Sequence, residues 1–191
     1  MITTQIDSFY HFYPALTALV GAKTDAGTNF MAAAWTTGLS FDPPLFGVAI
    51  SPRRHTHGMI EKSGAFTCNF LGLEHLKLIH ACGRLSGRDV DKVTALKIPL
   101  EASVKIACPT IESAYAAYEC VLRHQYPVGD HDLFVGQVVA IHTREEALKD
   151  GILDARTLRF TLYQGNNRYL TTDPKSGVSL PAVIPLPGDR R

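Results

Sequence analysis

The sequence has no excess of either charge: among 191 residues, 19 Lys and Arg stand against 18 Asp and Glu, for a net charge of +1. Such a balance removes any general electrostatic pull toward nucleic acid or an anionic membrane, so an anion must be held by a local arrangement of donors. No run of eighteen apolar residues occurs, which excludes a membrane-spanning helix. The opening "MITTQIDSFYHFYPALTALVGAK" lacks the basic start, unbroken apolar core and small-residue cleavage site of a leader, and a cytoplasmic protein is expected. The four cysteines, Cys68, Cys82, Cys108 and Cys120, include no C-x-x-C pair. Neither a zinc site nor a redox dithiol is therefore indicated, and reduced thiols are expected. His55 and His57 stand two apart with no carboxylate or third histidine beside them in sequence, so no metal site is expected. Nothing matches G-x-G-x-x-G, so no separate dinucleotide-binding domain is expected.

What is present is ordinary globular composition, 46% hydrophobic and 19% charged, enough for one substantial core. No linker interrupts the chain before Thr171, which predicts one domain over 1–170 followed by a proline-rich tail over 171–191 that cannot fold by itself. "ALTALVGAK" (15–23) and "NFMAAAW" (29–35) flank "TDAGT", where Asp25 and Gly27 suit a tight reversal, and predict a hairpin. "LFGVAIS" (45–51) and "AFTCNFL" (65–71) read as short strands, with about two turns of helix between them and Thr56 as its N-cap. Leu73, Leu76, Leu78 and Ile79 fall near a 3.6-residue period and predict a helix over 73–83 stopped by Gly83. "GRDVDKVTAL" suggests a further short helix. "SVKIA" from Ser103, "YAAYECVLRHQYPVG" and "HDLFVGQVVAIHTR" read as strands, the last two joined at Gly129 and Asp130. Strands dominate without regular βαβ alternation. A mainly β fold, a closed antiparallel barrel with helical insertions, is therefore predicted over a doubly wound sheet.

The chemistry gathers in "TTGLSFDPPLFGVAISPRRHT" (36–56). After the apolar strand, Ser51, Arg53, Arg54 and Thr56 would bring hydroxyls, guanidinium forks and a helix N-terminus together. Three or four charge-assisted donors, each contributing roughly 1.5–3 kcal/mol, would bind a phosphate monoester firmly. The bland alternative is a solvated basic turn.

Several segments fall together in a known order: "YP" at 13–14, "DAGTN" at 25–29, "WTT" at 35–37, "SFDPP" at 40–44, "SPRRHT" at 51–56, "FTCN" at 66–69, "DK" at 91–92, and "EC" to "GDH" over 119–131. In that order the chain resembles the flavin reductase-like family from about residue 9 to residue 170. The resemblance implies the FMN-binding split barrel, a Greek-key antiparallel β-barrel, and a homodimer with flavin near the subunit interface. It implies an oxidoreductase that takes hydride from NAD(P)H and passes electrons to flavin or another acceptor. The alternative, similar to flavoredoxin or archaeal ferric reductase, is a non-catalytic FMN-binding electron carrier reduced by a partner protein. Carried over by position, Trp35, Thr36 and Thr37 would line the flavin, and Ser51, Arg53, Arg54 and Thr56 would cradle its phosphate. Asn69 would reach the ribityl chain or ring edge, Lys92 would supply a fixed positive charge, and His131 would sit where nicotinamide is accepted. "LYQGNNRYL" (162–170) resembles the family's closing tyrosine segment. Each residue also has a plainer role: Trp35 in the core, Lys92 on the surface, His131 at a rim, and Cys68 as a buried thiol.

Overall fold

The structure, a computed structural model, describes residues 2, 4, 6 and 9–177. The expected proline-rich tail lies outside the described residues from 178 onward.

Alternating apolar residues and short turns produce a run of antiparallel strands. β1 (Ala18–Thr24) and β2 (Gly27–Ala33) form the expected hairpin, with Thr24 opposite Gly27. Gly27 takes φ +120°, which a side chain would resist. β3 (Thr36–Phe41) and β4 (Pro44–Ile50) form a second hairpin. α1 (His55–Ser63) then crosses to β5 (Ala65–Phe70), and α2 (Leu76–Arg84) and α3 (Lys92–Ala95) follow. The long strands β6 (Ala116–Val128) and β7 (His131–Thr143) pair across the Gly129–Asp130 turn. A small sheet joins Ala15–Leu16 to Leu162–Gly165 and Arg168–Leu170, bringing Tyr13 against Tyr163.

The strand order is β2-β1-β5-β6-β7-β4-β3, all antiparallel. Its two edges, β2 and β3, are consecutive in the chain and joined only by Ala34 and Trp35. The Trp35 carbonyl accepts from Ala49 N–H of β4 at 2.9 Å. The sheet therefore closes on itself through covalent continuity, and this is the split barrel expected. Closure removes the exposed edges that an open sheet would carry. β1 shows why it packs on both faces: Val20 points into the barrel with Phe66 and Phe134, while its neighbour Leu19 points outward beneath Ile79 and Cys82 of α2. No helix among the described residues is long and apolar enough to cross a membrane.

Three local expectations are corrected. Thr56 does not cap α1: the N-cap is Arg54, which makes no side-chain capping bond, and Thr56 lies inside the first turn. Gly83 does not stop α2, which runs on to Arg84; a Cβ there would meet Ala32 Cβ at 3.2 Å, so the glycine serves close approach to β2. The segment 103–107 is not a strand. The carboxylate of Glu119, fully buried on β6, accepts from the N–H groups of Val104 (2.7 Å), Lys105 (2.7 Å) and Ile106 (3.1 Å), and those amides are lost to any ladder.

Candidate functional site

The closure point and the start of α1 together build a trough. At one end, Trp35, Ser51, Arg54 and His131 line a cavity of about 270 Å³ floored by Met31 to Ala34. Arg54, Met31 and Ala32 continue into a second cavity of about 260 Å³ that also takes in Arg53, Thr56, Arg88 and Lys92. The small side chains of the Ala32–Ala34 run leave a flat floor.

At the first end, the Trp35 indole N–H donates to the Tyr13 hydroxyl at 3.0 Å, and its ring centroid lies 4.7 Å from that of His131. His131 is partly exposed, and its Nδ1 lies 2.7 Å from Asp130 Oδ1. That contact fixes the ring's orientation and leaves Nε2 for a partner. The His131 interaction holds the Asp130 carboxyl below its ordinary range.

At the second end the charge is unbalanced. Arg53, Arg54, Arg84, Arg88 and Lys92 gather here, and among the described residues none has a carboxylate within ion-pair distance. Lys92 is 2% exposed, and its Nζ donates to the carbonyls of Phe30 (2.7 Å) and Cys82 (2.9 Å), leaving one of three N–H groups unused. Burial pushes the Lys92 pKa down, with Arg54 adding to the effect while Cys82 opposes it. Arg88 Nη1 donates to the Arg53 carbonyl at 2.8 Å and so holds the turn that carries both arginines. The α1 N-terminus has no side-chain cap, and its first amides open here. Asn29 is 4% exposed: its Nδ2 donates to Thr56 Oγ1 at 2.7 Å, while its Oδ1 is buried with no partner. Uncompensated cations, an uncapped helix start and an orphaned buried amide oxygen fit a phosphate ester bearing hydroxyl groups.

Of the sequence-predicted site residues, Trp35, Ser51, Arg53, Arg54, Thr56, Lys92 and His131 line this trough. Thr36 and Thr37 lie on strand β3 opposite Val48 and Gly47 and are not among its lining residues; the Thr37 hydroxyl donates to the Gly38 carbonyl at 3.1 Å. Asn69 is corrected. It is fully buried, its Nδ2 donates to the Leu19 carbonyl (2.9 Å) and Thr67 Oγ1 (3.1 Å), and its Oδ1 accepts from Ile111 N–H (2.8 Å). With its hydrogen bonds spent inside the fold, it ties β5 to the segment before β6. Sequence reasoning missed Asn29, Arg88 and Tyr13. The run "DAGTN" carried a signal for Asn29, since a polar residue where a strand turns apolar must find a partner.

Behind the trough, His57, Glu61 and Asp132 bring their ligand atoms as close together as a metal site would. Gln125 Nε2 donates to Glu61 Oε1 (2.8 Å) and Asp132 Oδ2 (2.7 Å), and His57 faces both carboxylates, so hydrogen bonds already link all four side chains without an ion.

Comparison with known proteins agrees with this geometry. Residues 9–169 match the flavin reductase like domain. The FMN-binding protein of Thermus thermophilus, solved with bound 1-cyclohex-2-enone, is 39% identical with a TM-score of 0.84, over 94% of this chain and 98% of that one. Flavoredoxin from Methanosarcina acetivorans is 27% identical with a TM-score of 0.84, over 95% and 96%. The NADH-dependent flavin reductase StyB of Pseudomonas fluorescens is 30% identical over 129 residues, 67% of this chain and 71% of the relative. Matched through nearly its whole described length, and with the split barrel in common, this chain belongs to the flavin reductase like family.

Proposed function

We propose that the protein is an FMN-dependent oxidoreductase that accepts hydride from NAD(P)H and delivers electrons to free flavin or a small acceptor. The observation that carries this reading is the trough's division into a flat aromatic end and a cationic end with no acid of its own. FMN has that same division, a planar ring and a doubly charged ester. Arg53, Arg54 and Lys92, with the first amides of α1, would hold the phosphate, and the orphaned Asn29 Oδ1 would accept from a ribityl hydroxyl. Bound there, flavin supplies hydride-accepting chemistry that no side chain of this protein can perform.

The chain's own part is position and field. Trp35, fixed by Tyr13, limits the depth of the ring end, and His131, whose Nδ1–H donates to Asp130, stands at its mouth with Nε2 placed to accept from a nicotinamide amide N–H. The enone bound to the Thermus relative supports a small, flat, carbonyl-bearing acceptor. A homodimer is part of the same proposal: Phe41 at the β3–β4 tip and Ile141 on β7 leave apolar surface that a second copy would cover.

The test is spectroscopic. Purified protein should be yellow or take up FMN stoichiometrically, and NADH or NADPH should bleach it within seconds. Bleaching only by a partner reductase would instead assign an electron carrier, and failure to bind flavin at all would remove both readings.

A further inference from the structure

The aromatic end of the trough holds a proton that the chain itself does not use. The Tyr13 hydroxyl oxygen accepts the Trp35 indole N–H at 3.0 Å, which occupies a lone pair and turns the phenol's own O–H away from the indole. Among the described residues nothing accepts that O–H. The phenol ring is held in place: Tyr10 stacks on it at 5.1 Å, and Phe12 (4.8 Å) and Tyr163 (5.7 Å) meet it edge-on. Burial raises the Tyr13 pKa above its usual 10; the indole bond opposes this, and Tyr10 and Tyr163 add to it. The hydroxyl therefore keeps its proton at neutral pH. The cavity it lines, of about 270 Å³, has Tyr10, Trp35 and His131 as aromatic walls over the apolar floor of Met31 to Ala34. Of the N–H groups there, the indole is spent on Tyr13 and the His131 Nδ1–H on Asp130, while Arg54 is shared with the cationic end. What remains is a fixed, neutral donor in a slot of flat faces.

We propose that Tyr13 is the residue that selects the electron acceptor: its O–H seats the carbonyl oxygen of a flat, α,β-unsaturated ketone or aldehyde. The inference rests on the flavin reading above and deepens it. A neutral oxygen suits a neutral donor, whereas a carboxylate or phosphate would be drawn to Arg54 and its neighbours instead. The aromatic walls favour a planar, conjugated molecule over a puckered one. The same hydrogen bond gains strength during the reaction, because negative charge grows on the carbonyl oxygen as the acceptor is reduced. The balance is one NAD(P)H and one proton for each acceptor. The hydride that NAD(P)H supplies forms a C–H bond at the β-carbon, and the C=C electron pair shifts toward the oxygen held by Tyr13. A proton from water then forms the C–H bond at the α-carbon, leaving a saturated carbonyl compound and NAD(P)+. Tyr13 keeps its own proton throughout and acts by holding the oxygen's charge.

The experiment is calorimetric titration of the FMN-loaded, oxidised protein with cyclohex-2-enone and with cyclohexene, which has the same ring but no carbonyl, repeated on Tyr13→Phe. Phenylalanine keeps the ring that Tyr10, Phe12 and Tyr163 pack against, so the variant should fold. Tyr13→Phe should weaken the enone by about tenfold and cyclohexene by less than about twofold. A change in the shape of the slot would move both ligands together, so only loss of the donor separates them. In turnover with NADH, kcat for the enone should fall by about a further tenfold or more, with cyclohexanone as the product. Equal weakening of both ligands would make Tyr13 a packing residue and overturn the proposal. Transfer of the effect to Tyr10→Phe or Ser51→Ala, the other hydroxyls on the cavity wall, would overturn it too. Flavin binding without enone binding would overturn it and leave the flavin reading intact. Failure to bind flavin would remove the underlying reading as well.

Discussion

The ring of His57 stands between two carboxylates, with Nε2 2.9 Å from Asp132 Oδ2 and Nδ1 3.3 Å from Glu61 Oε2. His57 lies one residue after Thr56 of the cradle, and Asp132 follows His131 at the trough's mouth. The contact therefore fixes the cationic end of the trough relative to its aromatic end.

Removing that ring should be costly for both fold and site. His57 is 5% exposed and packs edge-on to Phe134 at 4.9 Å, so His57→Ala opens a space and strips Asp132 of a hydrogen-bond partner. A loss of roughly 2 kcal/mol is expected, on the scale of one hydrogen bond to a charged group. Urea denaturation checks it. The Kd for FMN should rise in the same variant, since the start of α1 is no longer tied to β7.

Glu119 gives the protein an acid limit. Burial alone would push its pKa up, but His142 at 2.6 Å and three backbone amides outweigh that and hold the carboxyl below the usual value of 4.5. A carboxylate depressed in the folded state contributes stability that is present above its unfolded pKa and lost as pH falls through its folded one. Stability should therefore fall as pH drops below about 4.5, and Glu119→Gln should flatten that part of the curve. At neutral pH, Glu119→Ala should cost roughly 3–5 kcal/mol, as for breaking one side of a buried pair, measured by urea midpoint and slope.

These two relationships also mark what the sequence could and could not disclose. The β1–β2 and β6–β7 hairpins were legible because their signals, Asp25 to Gly27 and Gly129–Asp130, are local turn chemistry beside alternating apolar residues. The arginine turn was legible for the same reason, as hydroxyls and cations crowd six consecutive positions. Segment 103–107 misled because its strand-like residues are claimed by a carboxylate more than ten positions away. Gly83 misled because a helix stop and a close helix–strand approach call for the same residue. Asn69 followed the family pattern into a role that its buried hydrogen bonds exclude. The joining of β2 to β3 at Trp35, which closes the barrel and floors the site, is a three-dimensional fact with no local signature.

In the proposed site Lys92 would act on the phosphate and not on the rest of the flavin. Replacing it with methionine removes a buried charge while keeping the aliphatic stem, so the fold should survive with the Phe30 and Cys82 carbonyls each losing one donor. FMN affinity should fall by about tenfold, or 1.4 kcal/mol, while riboflavin affinity stays the same. Because burial lowers the Lys92 pKa, wild-type FMN binding should weaken on the alkaline side at a pH below lysine's usual 10.5, and Lys92→Met should lack that limb. Titrations from pH 7 upward would decide it.

The two arginines test whether the cradle was located correctly. Arg53 and Arg54 sit at the edge of the trough, where water competes for their forks, so each alone contributes less than a buried pair would. Acting together on one doubly negative ester they should contribute about 2.7 kcal/mol, and Arg53→Ala combined with Arg54→Ala should raise the Kd for FMN roughly a hundredfold. Salt offers an internal control. Salt screens exposed charges over a Debye length of about 10 Å at 0.1 M, so wild-type FMN affinity should fall with added salt, and the double variant's affinity should fall less steeply. Riboflavin, which lacks the ester, should bind both proteins alike at every salt concentration. An FMN affinity unchanged by the double substitution would mean that the arginines do not face the phosphate and that the cradle lies elsewhere.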